Sequence, residues 1–255
     1  MSPDNSSQRH KEYQNFITEK HSRWQTPTEL ILGISEKVGV GILLPGSKEK
    51  IVAGEVHEVY GFEAESGRKI IVRISRSEWP GFAKERWAID QVKAEGVPAP
   101  EVLAIESATQ DGRKITVCFE ERLPGTPLSD FVPQIRKDPN SFRHYFAEAG
   151  KILGKIHSVK TQGFGWLNER GQGPFQTWEE CVLEQTTQLD ECLEHARLTG
   201  LDASVVKDAL AVLEDNRALY RGVRPHLLHQ DVSAKHFLID GRKITGIIDF
   251  ENAFG

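Results

Sequence analysis

Residues 229–250 decide the fold of this chain, and they read His-Gln-Asp-Val-Ser-Ala-Lys-His-Phe-Leu-Ile-Asp-Gly-Arg-Lys-Ile-Thr-Gly-Ile-Ile-Asp-Phe. Residues 237–240 form a short apolar segment that is typical of a strand. The Asp-Gly pair that closes this segment is a hairpin-turn signal, and residues 243–248 are the return strand. Because a hairpin returns the chain to its starting edge, we expect Asp231, before the first strand, and Asp249, after the second, to lie at one end of the unit.

Two carboxylates held together in this way have a clear chemical use. A phosphoryl-transfer site needs one Asp to position the attacking hydroxyl and another to hold the metal ion that bridges the nucleotide phosphates. Either residue alone is equally an ordinary turn aspartate on a surface hairpin. The pair, its spacing and the two neighbouring histidines, His229 and His236, together favour phosphoryl transfer.

The same stretch resembles the catalytic loop and metal-binding loop of the aminoglycoside phosphotransferase and choline kinase group, which are small-molecule relatives of the protein kinases. The pattern of that group is His-x-Asp, four residues, Asn, an apolar hairpin and Ile-Asp followed by Phe or Trp. The resemblance implies that Asp231 is the catalytic base, that Asp249 binds magnesium, and that His229 supports the loop. It also implies a two-lobed, protein-kinase-like α+β fold, with ATP and Mg²⁺ as the nucleotide and metal.

His236 stands where the group usually has Asn. Magnesium prefers hard oxygen ligands, and an imidazole suits it poorly. Some members of the group, the macrolide phosphotransferases among them, carry His at this position, so the change is compatible with activity. Direct ligation of the metal by His236 and a contact through water both remain open.

The region before residue 124 resembles the nucleotide-binding lobe of a kinase. Residues 50–62 read as two strands around a turn, and residues 69–74 read as a third strand. The resemblance implies that Gly54 lets backbone N–H groups approach the phosphates, although a lone glycine here is equally a β-bulge residue. It also implies that Arg73 takes the place of the phosphate-binding lysine of kinases, and that Glu85 on the next helix is its ion-pair partner.

A Leu-Pro-Gly sequence after the next strands resembles the hinge between kinase lobes. The resemblance implies that the carbonyl of Glu121 and the amide of Leu123 bind the adenine edge. It places the N-lobe in residues 1–123, with a nucleotide-covering antiparallel sheet, leading helices and one helix like the αC helix of kinases. The mainly helical C-lobe, with the catalytic and metal-binding loops, is then expected in residues 124–255.

Several helices have recognisable starts in the sequence. Thr26 and Glu29 predict a capping box for a helix near the N-terminus. Either Asn140 or Ser141 is expected to cap the first long helix of the C-lobe. Thr177 predicts another capping box, at the start of a helix that runs to about residue 197. This last helix is strongly acidic, which is typical either of a solvated face or of a surface that recruits polycationic substrates; its acidic residues are Glu179, Glu180, Glu184, Asp190, Glu191 and Glu194.

Composition excludes several classes of protein. The chain has 255 residues and a formal net charge of −5, without a basic cluster, so we expect no nucleic-acid partner. No apolar run approaches the roughly 20 residues that span a bilayer, and we expect no membrane partner. The first ten residues lack the apolar segment of a signal peptide. The three cysteines form no CxxC pair. We therefore expect a cytoplasmic enzyme, and the resemblance implies that its acceptor is a small-molecule hydroxyl.

Three functional classes stay open at this stage. The first is an ATP-dependent phosphotransferase for a small molecule, for example an aminoglycoside, in which case the protein confers antibiotic resistance. The second is a degenerate kinase fold that binds nucleotide or a partner without transfer, since the sequence ends soon after Asp249 and we expect the C-lobe to be truncated relative to the resembling group. The third is a metalloenzyme that would use His226, His229, Asp231 and His236, although their spacing fits no common zinc pattern.

Overall fold

The computed structural model describes residue 12 and residues 15–52, 56–184 and 188–255 of the chain. These residues form an α+β structure with two antiparallel sheets, and so the predicted α+β class is confirmed. Gly54, which the sequence assigns to the phosphates, lies outside the described residues. Within the described ranges, no helix has both the length and the apolar character that a membrane span requires.

The larger sheet has five antiparallel strands in the order β1-β2-β3-β5-β4. They are β1 (Glu49–Ile51), β2 (Glu58–Glu63), β3 (Lys69–Ser75), β4 (Val102–Gln110) and β5 (Arg113–Glu121). The sheet and the helix α1 (Thr28–Lys37) enclose one hydrophobic core, in which β-branched residues of β3 are fully buried. The central position of β3, between β2 and β5, carries Arg73 into the interior of the molecule.

The helix α2 (Phe82–Ala94) follows β3 and presents one face to a second core. Phe82, Glu85, Ile89 and Val92 are buried on that face at the spacing of three and four residues that a helix brings together. The helix ends at Ala94, and Gly96 follows it with a φ of 71°, ahead of Pro98 and Pro100. Glu85 is therefore a charged residue on an otherwise apolar face.

The region after β5 is mainly helical and contains a small three-stranded sheet. Its helices are α3 (Val132–Ile135), α4 (Pro139–Ile156), α5 (Trp178–Leu183), α6 (Leu189–Thr199) and α7 (Ala203–Asp215). The small sheet has the order β6-β7-β8, with β6 (Thr126–Pro127), β7 (Phe237–Asp240) and β8 (Lys243–Ile247). The hairpin that the sequence predicts is thus confirmed, with a return strand that ends one residue earlier.

The observed helix caps show which of the predicted caps form and which do not. The capping box of Thr177 is confirmed, since its side chain accepts from the Glu180 N–H and Glu180 caps it in return. The capping box of Thr26 is wrong: the Thr26 hydroxyl donates instead to buried Glu58 at 2.7 Å. The predicted cap of α4, Asn140 or Ser141, is also wrong. The observed cap is Asp138, two or three residues earlier, whose side chain accepts from the amide of Asn140. The single acidic helix predicted after Thr177 is described as α5 and α6, with residues 185–187 outside the described ranges.

Candidate active site

His229 anchors the loop that follows the helical region. Its ring is buried, and its Nε2 donates to the carbonyl of Ile248 at 3.0 Å, while its Nδ1 accepts from the amide of Asp231 at 3.3 Å. Both ring nitrogens are therefore used by backbone groups, which fixes the neutral tautomer. Burial lowers the pKa of His229, in agreement with an uncharged ring. The resemblance implies a supporting role for His229, which stays a prediction and with which these two backbone contacts agree.

Asp231 lies at the start of the same loop with its carboxylate toward solvent. The side chain is 38 % exposed, and its Oδ2 is 3.5 Å from Nζ of Lys235 and 3.8 Å from Nε2 of His236. Its backbone carbonyl accepts from Nδ1 of His236 at 2.6 Å. The backbone of Asp231 is thus held at both ends by imidazoles, while the carboxylate stays accessible to a ligand.

Asp249 lies opposite Asp231 at the end of the hairpin, in the left-handed region with a φ of 72°. Its Oδ2 is 3.1 Å from Nε2 of His236. Although burial alone would raise the pKa of Asp249, the hydrogen bond with His236 and the charge of Arg73 lower it to about 2. For His236, burial would lower the pKa, but its hydrogen bonds with Asp249 and with the Asp231 carbonyl raise it. The hairpin thus brings both carboxylates to one imidazole.

The donor set at this point fits a divalent cation. Ligand atoms of Asp231, His236 and Asp249 all lie within 4.8 Å of one another. Oδ1 of Asp249 is buried and has no hydrogen-bond partner among the described residues. Nδ1 of His236 donates to the Asp231 carbonyl and Nε2 shares a proton with Asp249, so Nε2 becomes a ligand when a cation displaces that proton. Carboxylate oxygens are the ligands that Mg²⁺ prefers, and His236 completes the group as the less suitable donor.

Arg73 and Glu85 form a buried ion pair beside these carboxylates. Nη1 of Arg73 donates to both carboxylate oxygens of Glu85, at 2.8 and 2.7 Å. Burial would lower the pKa of Arg73, but the carboxylates around it raise the pKa well above its ordinary value. Oε1 of Glu85 also accepts from the amide of Phe250 at 3.1 Å. Glu85 therefore joins the arginine of the large sheet to the loop that carries Asp249.

Two further carboxylates contact Arg73, and sequence reasoning missed both. Oε1 of Glu120 lies 3.4 Å from Nη1, and burial raises the pKa of this carboxyl to about 7 against the opposing charge of Arg73. Oε2 of Glu251 lies 3.1 Å from Nη2. Cys118 is the partner of Arg73 in the sheet register, so Glu120 is its diagonal neighbour on the same face. A charged residue inside the apolar strand β5 was the signal that could have found Glu120.

The Arg73–Glu85 pair leads to a stability prediction. Glu85→Ala is expected to lower the free energy of unfolding by about 3 kcal/mol, because it removes a partner of a buried charge and the acceptor of the Phe250 amide. Urea denaturation measures this change. The matched control is Glu101→Ala, which breaks an exposed pair with Arg68 and is expected to cost less than about 1 kcal/mol. Equal effects of the two substitutions would contradict the importance given to the buried pair.

The segment that resembles a hinge lies between the two sheets. The backbone of Glu121 is tied to the sheet edge, since its amide donates to the carbonyl of Glu101 at 2.9 Å. Leu123 is half-buried and packs on β8, where a Cβ at Gly246 would collide with its side chain. Arg122 donates its amide to the carbonyl of Lys69. The backbone groups assigned to adenine thus stand where the chain passes from one sheet to the other, and their role stays a prediction.

The sequence profile of the phosphotransferase enzyme family (APH) matches residues 49–254, most of the chain and all of the side chains described above. The chain belongs to this family. The residues that the profile spans begin with β1 and end after the loop that carries Asp249 and Glu251. The site described above therefore lies wholly inside the part of the chain that makes it a member of the family.

Two curated relatives and one solved structure show how far the likeness goes. The chain is 27 % identical to hygromycin-B 4-O-kinase of Escherichia coli over 203 residues. These residues make up 78 % of this chain and 56 % of that protein. It is 28 % identical over 211 residues to homoserine kinase of Pseudomonas aeruginosa, which is 80 % of this chain and 58 % of that protein. The chain therefore spans little more than half the length of the curated relatives it matches.

The crystal structure of aminoglycoside phosphotransferase APH(4)-Ia superposes with a TM-score of 0.67 and 23 % identity, over 90 % of this chain and 73 % of that chain. At this level of identity the likeness concerns the fold. The expected protein-kinase-like fold of this family member is thereby confirmed. The boundary between lobes at residues 123 and 124, and the roles of the individual site residues, stay predictions.

Proposed function

We propose that this family member transfers the γ-phosphate of ATP to a hydroxyl of a small molecule. The observation that carries the proposal is the convergence of Asp231, His236 and Asp249 within 4.8 Å, beside the buried ion pair of Arg73 and Glu85. Phosphoryl transfer depends on positioning and on the stabilisation of charge rather than on elaborate covalent chemistry. A carboxylate for the acceptor, a carboxylate for a metal ion and a fixed arginine are the groups that this chemistry requires.

Asp231 acts on the acceptor in this proposal. Its accessible carboxylate accepts the proton of the substrate hydroxyl as the hydroxyl oxygen bonds to the γ-phosphorus. The bond between that phosphorus and the bridging oxygen of the β-phosphate breaks, and ADP leaves with the electron pair. His229 keeps the Asp231 backbone in place through its Nδ1. Lys235, with its Nζ 3.5 Å from the carboxylate, places a positive charge beside Asp231.

Asp249 and His236 hold the metal end of the site. These two residues would hold a Mg²⁺ ion, whose positive charge would stabilise the nucleotide phosphates during transfer. The low pKa of Asp249 keeps this carboxylate ionised at every physiological pH, as a ligand must be. Arg73 adds a fixed cation beside it, since its Nη2 is 3.8 Å from Oδ1 of Asp249. We further propose that Glu121 and Leu123 contact the adenine edge through their backbone groups, and that Gly54 belongs to the phosphate-covering segment.

For the acceptor, an aminoglycoside is supported by the likeness to hygromycin-B 4-O-kinase, and a hydroxyl-bearing amino acid by the likeness to homoserine kinase. The acidic helices after Thr177 give less support than their composition suggests. Glu194 pairs with Arg197 at 2.6 Å, and Glu180 closes a capping box. The proposed acceptor is therefore a small polar molecule with a free hydroxyl, and an aminoglycoside antibiotic is the first candidate. A cytoplasmic location goes with this acceptor.

A mass-spectrometric screen tests the proposal. The chain of 255 residues, Mg²⁺ and ATP are incubated with aminoglycosides, macrolides, homoserine and other hydroxylated metabolites. The expected result is an acceptor that gains one phosphoryl group while one ADP forms. Nucleotide binding without a product from any acceptor would favour the degenerate kinase fold. The metalloenzyme class is disfavoured already, because both ring nitrogens of His229 are used by the backbone.

A further inference from the structure

Glu251 connects the two sheets through a single carboxylate oxygen. Its Oε2 lies 2.8 Å from Nε2 of His57 and 3.1 Å from Nη2 of Arg73. Both partners belong to the large sheet or the segment that enters it, whereas Glu251 follows β8 of the small sheet. The three side chains are largely buried, with 20 %, 7 % and 11 % of the side-chain surface exposed for Glu251, His57 and Arg73. One acidic group thus links the large sheet to the loop that carries Asp249.

His57 ends the segment that leads from β1 into β2. Its ring packs against Phe82, with the ring centres 4.8 Å apart, and the guanidinium carbon of Arg73 lies 5.2 Å from the centre of the same Phe82 ring. A carboxylate only accepts hydrogen bonds, so the proton between His57 and Glu251 is carried by Nε2 of the imidazole. Both partners of Glu251, His57 and Arg73, therefore also contact the ring of Phe82.

The guanidinium of Arg73 divides its donors between two directions. Nη1 faces Glu85 of the helix α2 at 2.7 Å and Glu120 of the strand β5 at 3.4 Å. Nη2 faces the loop of the small sheet, with Glu251 at 3.1 Å and Asp249 at 3.8 Å. The planar guanidinium is rigid, and its orientation is set when both edges are held. Glu251 supplies the shorter of the two contacts on the edge that faces the metal loop.

We propose that Glu251 is a positioning residue for the nucleotide phosphates, which it serves by holding His57 and Nη2 of Arg73 against the metal loop. The inference rests on the proposed function, since it assumes that nucleotide binds beside Arg73 and Asp249. Groups that are already fixed lose little conformational entropy when a ligand arrives, which raises affinity. Glu251 does not touch the reacting atoms in this assignment; it acts through Arg73 and through the segment that ends at His57.

Two possible roles of Glu251 predict opposite changes in the KM for ATP when the side chain is removed. The direction of that change therefore decides between them. If Glu251 mattered only as a negative charge near the phosphates, its removal would lower the KM for ATP. If it positions the site, Glu251→Ala raises the KM for ATP by about tenfold, the loss of one charge-assisted hydrogen bond. Glu251→Gln keeps an oxygen acceptor and is expected to restore most of the affinity. The KM for the acceptor stays constant in both variants.

The experiment measures kcat and the KM for ATP of wild type, Glu251→Ala and Glu251→Gln, with Glu101→Gln as the matched control at the exposed pair with Arg68. A double variant with His57→Ala is expected to be no worse than Glu251→Ala, because the two residues act through one contact. A merely structural role of Glu251 would reduce the active fraction and leave the KM for ATP unchanged. An unchanged or lowered KM in Glu251→Ala therefore overturns the inference.

Two further measurements separate this inference from the proposed function. Calorimetry with Mg²⁺ and a non-hydrolysable ATP analogue shows whether the wild type binds nucleotide; absence of binding overturns both proposals. If the wild type binds and Glu251→Ala binds equally well, only the role of Glu251 is overturned. In the nucleotide-free protein, amide hydrogen exchange across Glu58–Glu63 is expected to accelerate in Glu251→Ala and to stay unchanged in Glu101→Gln.

Discussion

Asp231→Asn is expected to reduce phosphoryl transfer by about 10²- to 10⁴-fold, the usual contribution of a positioned general base. The substitution keeps the shape of the side chain and removes its capacity to accept the hydroxyl proton. It is expected to leave the fold intact, because the contacts of Asp231 with His229 and with Nδ1 of His236 use backbone atoms. Steady-state kcat, followed by ADP release, measures the loss, and thermal unfolding checks the fold.

The matched control is Asp240→Asn, in the turn of the same hairpin. Asp240 is exposed and lies at the far end of β7 from Asp231, so its replacement is expected to leave turnover unchanged. Undiminished turnover in Asp231→Asn would remove Asp231 from the chemistry, whatever the rest of the site does. Equal losses in both variants would indicate that the hairpin, rather than the carboxylate, had been damaged.

Asp249→Asn is expected to weaken the affinity for Mg²⁺ by more than about 100-fold and to remove turnover at ordinary Mg²⁺ concentrations. Residues that merely orient metal ligands already contribute 10- to 100-fold to affinity, and Asp249 is a ligand in the proposed site. Asparagine tolerates the left-handed conformation that Asp249 adopts, so the backbone is expected to stay in place. The half-saturating Mg²⁺ concentration for turnover, and for nucleotide binding by calorimetry, measures the effect.

Asp249→Asn also tests how much the contacts of Asp249 with His236 and Arg73 stabilise the protein. His236 and Arg73 lose a carboxylate partner, and a small decrease in thermal stability is therefore expected together with the loss of metal affinity. Asp240→Asn again serves as the control for a charge removed from the same hairpin. An unchanged Mg²⁺ requirement in Asp249→Asn would place the metal elsewhere and would contradict the proposed site.

Local patterns predicted the part of the site that a hairpin creates. Residues 237–248 carry both the strand pattern and the turn signal, and their pairing alone brings Asp231 and Asp249 to His236. Information of this kind is contained in a few consecutive residues, and the structure did not alter it.

Long-range contacts account for what the sequence could not supply. Thr26 has the local pattern of a cap, but Glu58, on a strand far along the chain, takes its hydroxyl and its amide. Glu251 lies two residues after Asp249 in the sequence, and only the folded structure shows its contact with His57, which precedes β2 of the large sheet. In each case the decisive partner is distant in sequence, and the energy of the buried polar contact outweighs the local preference.

The most direct test of the central claim follows the γ-phosphate of labelled ATP in the presence of the acceptor found by the mass-spectrometric screen. The account predicts that wild-type protein places the label on a hydroxyl of the acceptor, one for each ADP formed. It also predicts that Asp231→Asn binds ATP and leaves the acceptor unlabelled. Label released only as inorganic phosphate, or transferred equally well by Asp231→Asn, would contradict the claim that Asp231 and Asp249 form a phosphoryl-transfer site.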